Sequence, residues 1–293
     1  MSHSKNATLD KLYSQMSLPV IAAPMRTISD PDFALEFCKN GVIGSLQALN
    51  APTSAILDEQ LSFMNESLEK MRKNNPDQRI APYAVNIIVN DEYAASLFKN
   101  RGDKGTQNAN KDIKSRLETD IDVLLKHIKD CNERGLPPPI PITSMGAVKE
   151  LVDKVHNAGG IILHDVTKPA HARNAARAGV DGIIAIGASA GGNGGTMSPF
   201  ALVGSIRSFF NGIVVLGGAI NSGSDILAAQ TIDADFAYMG TRMIATKECP
   251  AAQEYKQEIV DSRASDIIYT NSITGQMCRF LSKSVKNAGY DVT

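Results

Sequence analysis

Short apolar runs alternate with longer amphipathic stretches along most of this chain. The runs are Leu18–Met25, Gly41–Ser45, Tyr83–Val89, Ile142–Ser144, Gly160–Val166, Gly182–Ile186, Gly212–Leu216 and Phe236–Met239. They are too short for helices. Most are apolar at successive positions rather than at every second one, so they read as strands of a parallel sheet covered on both faces. The stretches between them read as helices. Asp30 caps a helix with Pro31 at its first position, and Thr53–Ser54 caps a long charged helix to about Asn74. Further helices are expected from about Ser115 to Asn132, Ala147 to Asn157, Pro169 to Ala178, Pro199 to about Phe210 and Asp225 to Gln230. The charged, Gly/Asn-rich stretch from Asn100 to Lys114 reads as an exposed loop.

A strand–helix unit repeated about eight times in about 240 residues predicts an α/β fold. It fits a single (β/α)8 TIM barrel better than the alternative, an open doubly wound sheet. A helical segment from Ala251 follows, and no linker divides residues 1–293 into further domains.

Composition narrows the partners. The 293 residues carry 30 basic and 31 acidic side chains, a net charge of -1, which argues against a nucleic-acid partner held by bulk electrostatics. No apolar run reaches transmembrane length, so no membrane partner is expected. The first residues lack an apolar signal region, which predicts a cytoplasmic location. Cys38, Cys131, Cys249 and Cys278 are far apart and form no CxxC pair, so free thiols and no metal site are expected.

The chemistry of a barrel lies at the C-terminal ends of its strands. That rule selects Ala23–Pro24–Met25, Gln47, Asn86, Ser144, His164–Asp165, Gly191–Gly192–Asn193, Gly217–Gly218 and Gly240–Thr241. The strand from Gly182 runs into a loop with glycines at 187, 191, 192, 194 and 195, where a ligand can approach the main chain closely. The two glycine loops after the seventh and eighth strands lead into short helices and predict a phosphate site, with Arg242 either adding charge or serving a structural ion pair. Asn86 is either a satisfied core amide or a ligand contact. His164 is either an acid–base group or a packed histidine bonded to its neighbour. No P-loop lysine, GxSxG elbow or HExxH is present, so a bound cofactor is expected to carry the chemistry.

The segments Pro19–Met25, Ala84–Asn86, Ala178–Gly182, the Gly191–Gly195 loop, Val215–Ala219 and Met239–Glu248 together resemble the nitronate monooxygenase family, also called 2-nitropropane dioxygenases. The flavin-dependent enoyl-reductases of fatty-acid synthesis share these motifs. The resemblance runs from Leu18 to about Tyr269 and implies an FMN-binding (β/α)8 oxidoreductase. By position it implies that Ala23, Pro24 and Met25 line the flavin ring, that Asn86 meets the ring or ribityl chain, and that Gly217, Gly218, Gly240 and Thr241 hold the FMN phosphate. Gly191 and Gly192 pack near the ring and shape the substrate pocket.

Two positions depart from the family pattern. The family usually has His where this chain has Asn193, and an amide cannot shuttle a proton near neutral pH. Oxidation of a nitronate, already an anion, needs no such base. Asp165 stands where several members carry a neutral or basic group near the flavin pyrimidine. It either points away, to Lys168 or His164, or alters the redox chemistry.

The resulting first reading is an FMN oxidoreductase that oxidises nitronates or related carbanions with oxygen, with Asn193 and His164 as the catalytic candidates. The alternatives are an NAD(P)H-dependent reductase of an enoyl thioester or quinone, and a non-catalytic flavin- or phosphate-binding barrel. The expected partner is a small-molecule substrate with oxygen or NAD(P)H, and a homodimer stays open. The stretch from Asn100 to Lys114 is a candidate lid. Ile267–Gly275 is expected to return towards the barrel mouth, with Tyr269 and Asn271 either touching substrate or packing in a tail.

Overall fold

A computed structural model describes residues 7–90, 94, 109–146, 148–273 and 277–290. Six parallel strands come first: β1 (Val20–Ala22), β2 (Gly44–Gln47), β3 (Tyr83–Ile88), β4 (Ile140–Ser144), β5 (Leu163–Val166) and β6 (Gly182–Ile186). After a two-residue strand β7 (Gly192–Asn193) come β8 (Ile213–Gly217) and β9 (Phe236–Met239). The sheet order β1-β9-β8-β6-β5-β4-β3-β2 is that of a barrel. A parallel bridge between Ile21 and Ile43 joins its two ends. The open-sheet alternative is thereby excluded.

The helices are α1 (Ala7–Ser14), α2 (Pro31–Lys39), α3 (Ser54–Asn74), α4 (Ala109–Glu133), α5 (Lys149–Asn157), α6 (Pro169–Ala178), α7 (Pro199–Arg207), α8 (Gly223–Thr231) and α9 (Thr241–Ile244), followed by α10 (Gln253–Asp261) and α11 (Ser282–Asn287). The sequence signals act as caps. Asp30 accepts from the Phe33 amide and Thr53 from the Ile56 amide, while Ser222 and Asp225 form a capping box at α8.

Alternation along the strands sorts the core into two layers. Ile142, Leu163, Ile184, Val215 and Phe236 pack inside the barrel. Val85, Ile87, Ile183, Val214 and Leu216 pack outward, in one cluster with Leu57 and Leu61 of α3 and Leu202 and Val203 of α7. Both faces are buried, which is why the strand sequences are apolar throughout.

Several boundaries differ from expectation. β1 is only Val20–Ala22, bracketed by Pro19 and Pro24. β2 starts at Gly44, and the Gly41 carbonyl before it accepts from the amides of Ser17 and Leu18 instead of joining the ladder. β4 includes Pro141, which the β5 ladder tolerates because that ladder begins only at Ile142. Of the expected exposed loop and candidate lid, residues 109–114 are the start of α4, and residues 100–108 lie outside the described residues. Ile113 and Leu117, one helical turn apart, are buried with Leu49, Ile88 and Ala94 and draw α4 onto the barrel.

The C-terminal segment carries its two helices and, in addition, an antiparallel hairpin of β10 (Ile267–Thr270) and β11 (Cys278–Leu281). β11 also pairs with β7, placing Cys278 opposite Asn193 and Arg279 opposite Gly192. Ile267 and Ile273 border the barrel mouth, as expected of this stretch, and residues 274–276 lie outside the described residues. Among the described residues no helix is long and apolar enough to cross a membrane, and no cluster of His, Cys, Asp and Glu could hold a metal ion. The four cysteines are buried and form no disulfide.

Candidate active site

The strand ends open into one cavity of about 1690 Å³. Ligand pockets commonly span about 300–1,000 Å³, so this one has room for a flat cofactor and a second small molecule. The strand-end residues singled out in the sequence border it, namely Ala23, Pro24, Met25, Asn86, His164, Asp165, Gly191, Gly192, Asn193, Gly217, Gly218, Gly240 and Thr241, whereas Tyr269 and Asn271 do not.

The inward positions at the ends of β2 to β5 are all polar, and they bond in series. Gln47 Nε2 donates to Asn86 Oδ1 at 2.7 Å, Asn86 Nδ2 to Ser144 Oγ at 2.8 Å, and Ser144 Oγ to Asp165 Oδ2 at 2.6 Å. The direction of this chain is forced. Asn86 Nδ2 also donates to the Ile142 carbonyl at 3.1 Å, and a carbonyl can only accept. Asn86 Oδ1 must therefore face Gln47, and Ser144 accepts from Asn86 and spends its own proton on Asp165. Asn86 thus has both amide hydrogens engaged within the cavity wall, while its Oδ1 keeps one lone pair.

Asp165 ends this chain and turns to Ser144, not to Lys168 or His164. Burial pushes its carboxyl up to about 7, opposed by the Ser144 hydrogen bond. Its second oxygen, Oδ1, is buried and has no hydrogen-bond partner. The same holds for the Tyr238 hydroxyl, whose pKa burial and the Asp165 charge raise well above its ordinary value. Both residues line the cavity, but these two oxygens are buried behind its surface.

His164 follows the opposite alternation. Its Nδ1 pairs with the Thr143 hydroxyl at 2.7 Å, the ring is buried, and the shift to about 4 comes from burial and then from the neighbouring His171. It is therefore neutral near pH 7, a packed ring beside the cavity.

The glycine segments meet at the cavity edge. Gly218 has φ +125, and a Cβ there would lie 2.7 Å from the Ala188 carbonyl oxygen. A Cβ on Gly191 would lie 2.6 Å from Thr241 Oγ1, so the sixth-strand loop touches the end of the eighth. Asn193 is exposed, and its Oδ1 accepts from the Cys278 thiol across the β7–β11 pair. Arg279 fastens the hairpin to the loop: it donates to the carbonyls of Ala190 at 3.4 Å and Gly195 at 3.1 Å, and its guanidinium lies 4.4 Å from the centroid of the Tyr269 ring. Tyr269 itself packs in this contact and reaches the Gly194 carbonyl.

Tyr238, Cys278 and Arg279 were missed in the sequence. Tyr238 carried a signal, since it lies two residues before Gly240 and so faces inward. The other two depended on the hairpin.

The profile of the nitronate monooxygenase family matches residues 8–290. A nitronate monooxygenase of Paraburkholderia phytofirmans is 25% identical over 287 residues, covering 93% of this chain and 76% of that protein. The crystal structure of a nitroalkane oxidase from Streptomyces ansochromogenes superposes with a TM-score of 0.69 at 25% identity, over 92% of this chain and 78% of that one. FabK from Thermotoga maritima shares the fold, with a TM-score of 0.70 at 22% identity over 98% and 78% of the two chains. A family match over nearly the whole chain, on a barrel whose glycine loops and strand ends meet in one cavity, makes this chain a member of the nitronate monooxygenase family and an oxidoreductase.

Proposed function

We propose that residues 1–293 form a single FMN-binding domain that oxidises nitronates or related carbanions with oxygen as electron acceptor. The observation that carries this reading is the convergence of the Gly191–Gly192, Gly217–Gly218 and Gly240–Thr241 segments on the cavity that holds the polar strand ends. The residues fit a flat, phosphorylated cofactor. Gly218 lets its main chain pack closely on the Ala188 carbonyl at the cavity edge, where a side chain would clash, and the amides after Gly217 and Gly240 suit a phosphate dianion.

The chemistry that a flavin supplies when bound is transfer of an electron pair from the carbanion to oxygen. Ala23, Pro24 and Met25 would bound the ring on the β1 side, and Asn86 would meet the ring or ribityl chain through the remaining lone pair of Oδ1. Asp165, neutral over part of the physiological range, then does not repel negative charge that builds up on the ring. Asn193 orients substrate by hydrogen bonding and leaves proton transfer to another group.

The test is the visible spectrum of the purified protein, followed by anaerobic addition of propane-2-nitronate. The expected result is a yellow protein that releases FMN on denaturation and bleaches with nitronate. A colourless protein that takes up no added FMN overturns the reading. Bleaching by NAD(P)H alone, with no response to nitronate, replaces it with the reductase alternative.

A further inference from the structure

The wall that the end of β1 presents to the cavity is held from outside the cavity. We propose that Asn50 is a positioning residue of this site: it fixes the Met25 segment against the flavin ring and so sets how the bound ring reacts. Asn50 Nδ2 donates to the Met25 carbonyl at 3.1 Å and to the Ser29 carbonyl at 3.1 Å. Its Oδ1 accepts from the Thr27 amide at 2.9 Å. The two carbonyls only accept and the amide only donates, so all three bonds demand the same orientation of the side chain. Aspartate at this position would keep the acceptor and lose both donors. Asn50 does not line the cavity, whereas Met25 and Arg26 do.

The segment needs such a holder. Thr27 has φ +63, a left-handed conformation that a residue with a side chain adopts at a cost and keeps only where its surroundings over-determine it. The buried Ser29 completes the clasp. Its Oγ accepts from the Met25 amide at 2.8 Å, and its own amide donates to the Met25 carbonyl at 2.9 Å. Both main-chain polar groups of Met25 are thereby engaged. Its side chain reaches across the mouth, since a Cβ on Gly240 would lie 3.8 Å from Met25 Sδ. Met25 thus links the end of β1 to the end of β9. Asn50 is anchored in turn. Arg116 of α4 donates to the carbonyls of Pro52 at 2.8 Å and Ala51 at 3.0 Å, and its Nε donates to Asp120 at 2.7 Å. The support therefore runs from Asp120 and Arg116 through residues 51–52 to Asn50 and on to Met25. A displacement of about 1 Å in a positioning group can cost about 100-fold in rate, so this line of bonds bears on reactivity as well as on folding.

The inference rests on the FMN-binding part of the proposed function, and the experiment separates the two. Wild type, Asn50→Ala and Asn50→Asp are loaded with FMN. Two signals of the bound flavin are read: its visible circular dichroism, and the rate of its anaerobic bleaching by saturating propane-2-nitronate. Both variants should show an altered dichroism and bleach about 10–100-fold more slowly. Ser29→Ala removes only the bond to the Met25 amide and is the milder variant, expected to move both signals in the same direction. Asn65→Ala weakens the fold away from the cavity and should keep both signals of the wild type. Wild-type dichroism and bleaching in Asn50→Ala and Ser29→Ala overturn the assignment. Wild-type behaviour of Asn50→Asp also overturns it, because the two Nδ2 bonds would then hold nothing that matters. The same changes in Asn65→Ala overturn it as well, by making the effect one of stability alone. A wild type that takes up no FMN overturns the FMN reading and the inference with it. A wild type that binds FMN and fails to bleach overturns the oxidation reading alone, and the dichroism then decides on Asn50.

Discussion

Replacing Asp165 by Asn should stabilise the folded protein, and the gain should depend on pH in one direction. Burial lifts the folded-state pKa from the usual 3.8 to about 7. Between those values the folded protein keeps a proton that the unfolded chain releases, so this group's contribution to stability falls as pH rises through the window. Below pH 4 it contributes almost nothing either way. Above pH 7 the full cost is present. At about 1.4 kcal/mol for each decade, the penalty is about 4 kcal/mol at pH 8 and a little under 2 kcal/mol at pH 5. The substituted amide would still accept the Ser144 hydroxyl through its carbonyl oxygen and would carry no charge. Asp165→Asn should therefore gain about 2–3 kcal/mol more at pH 8 than at pH 5, read from denaturant midpoints at constant m-value. An equal gain at both pH values would refute the premise that the carboxyl is held against ionisation. A loss at pH 8 would show that its charge is stabilised by its surroundings.

Three further outcomes follow from the geometry. Gly218→Ala forces a side chain into a backbone conformation that costs about 1–3 kcal/mol and against the Ala188 carbonyl; FMN affinity, followed by fluorescence quenching, should fall at least tenfold. Arg279→Ala removes the ties to Ala190 and Gly195, so the amides of Gly192–Gly195 should exchange with solvent faster by about tenfold while the barrel strands keep their protection. Asn65→Ala breaks the buried series Tyr83–Asn65–His127–Asp58 behind β3 and leaves two buried polar groups unpaired; stability should drop by about 2–4 kcal/mol with FMN affinity unchanged, since none of the four borders the cavity.

The barrel was legible because a parallel strand buried on both faces writes itself as an unbroken apolar run. β6 and β9 fall on the expected residues, as do α3 and α6. The strand-end rule then placed the site, since it needs only strand order and direction. Side-chain partnership was not legible. Whether Asp165 meets Lys168, His164 or Ser144 depends on alternation between adjacent strands, which the strand list alone does not resolve. The hairpin escaped because Ile267–Thr270 and Cys278–Leu281 are mostly half-exposed and carry no clean apolar pattern, and their pairing partner in the barrel loop is two residues long.

The β7–β11 pairing also sets an order of assembly. All eight barrel strands are available once Met239 has left the ribosome, and the barrel can close at that stage. The glycine loop gains its partner only after Cys278 and Arg279 emerge, 85 residues beyond Asn193 for the thiol contact. So long a loop closes late relative to neighbouring strand pairs. A nascent barrel therefore passes through a stage with its scaffold complete and its mouth unfinished. Ligand retention becomes a report on the tail: a protein cut short before Cys278 would fold as a barrel yet hold its small molecules loosely, and the cell would meet it as an inactive, exchange-prone species rather than as an unfolded one.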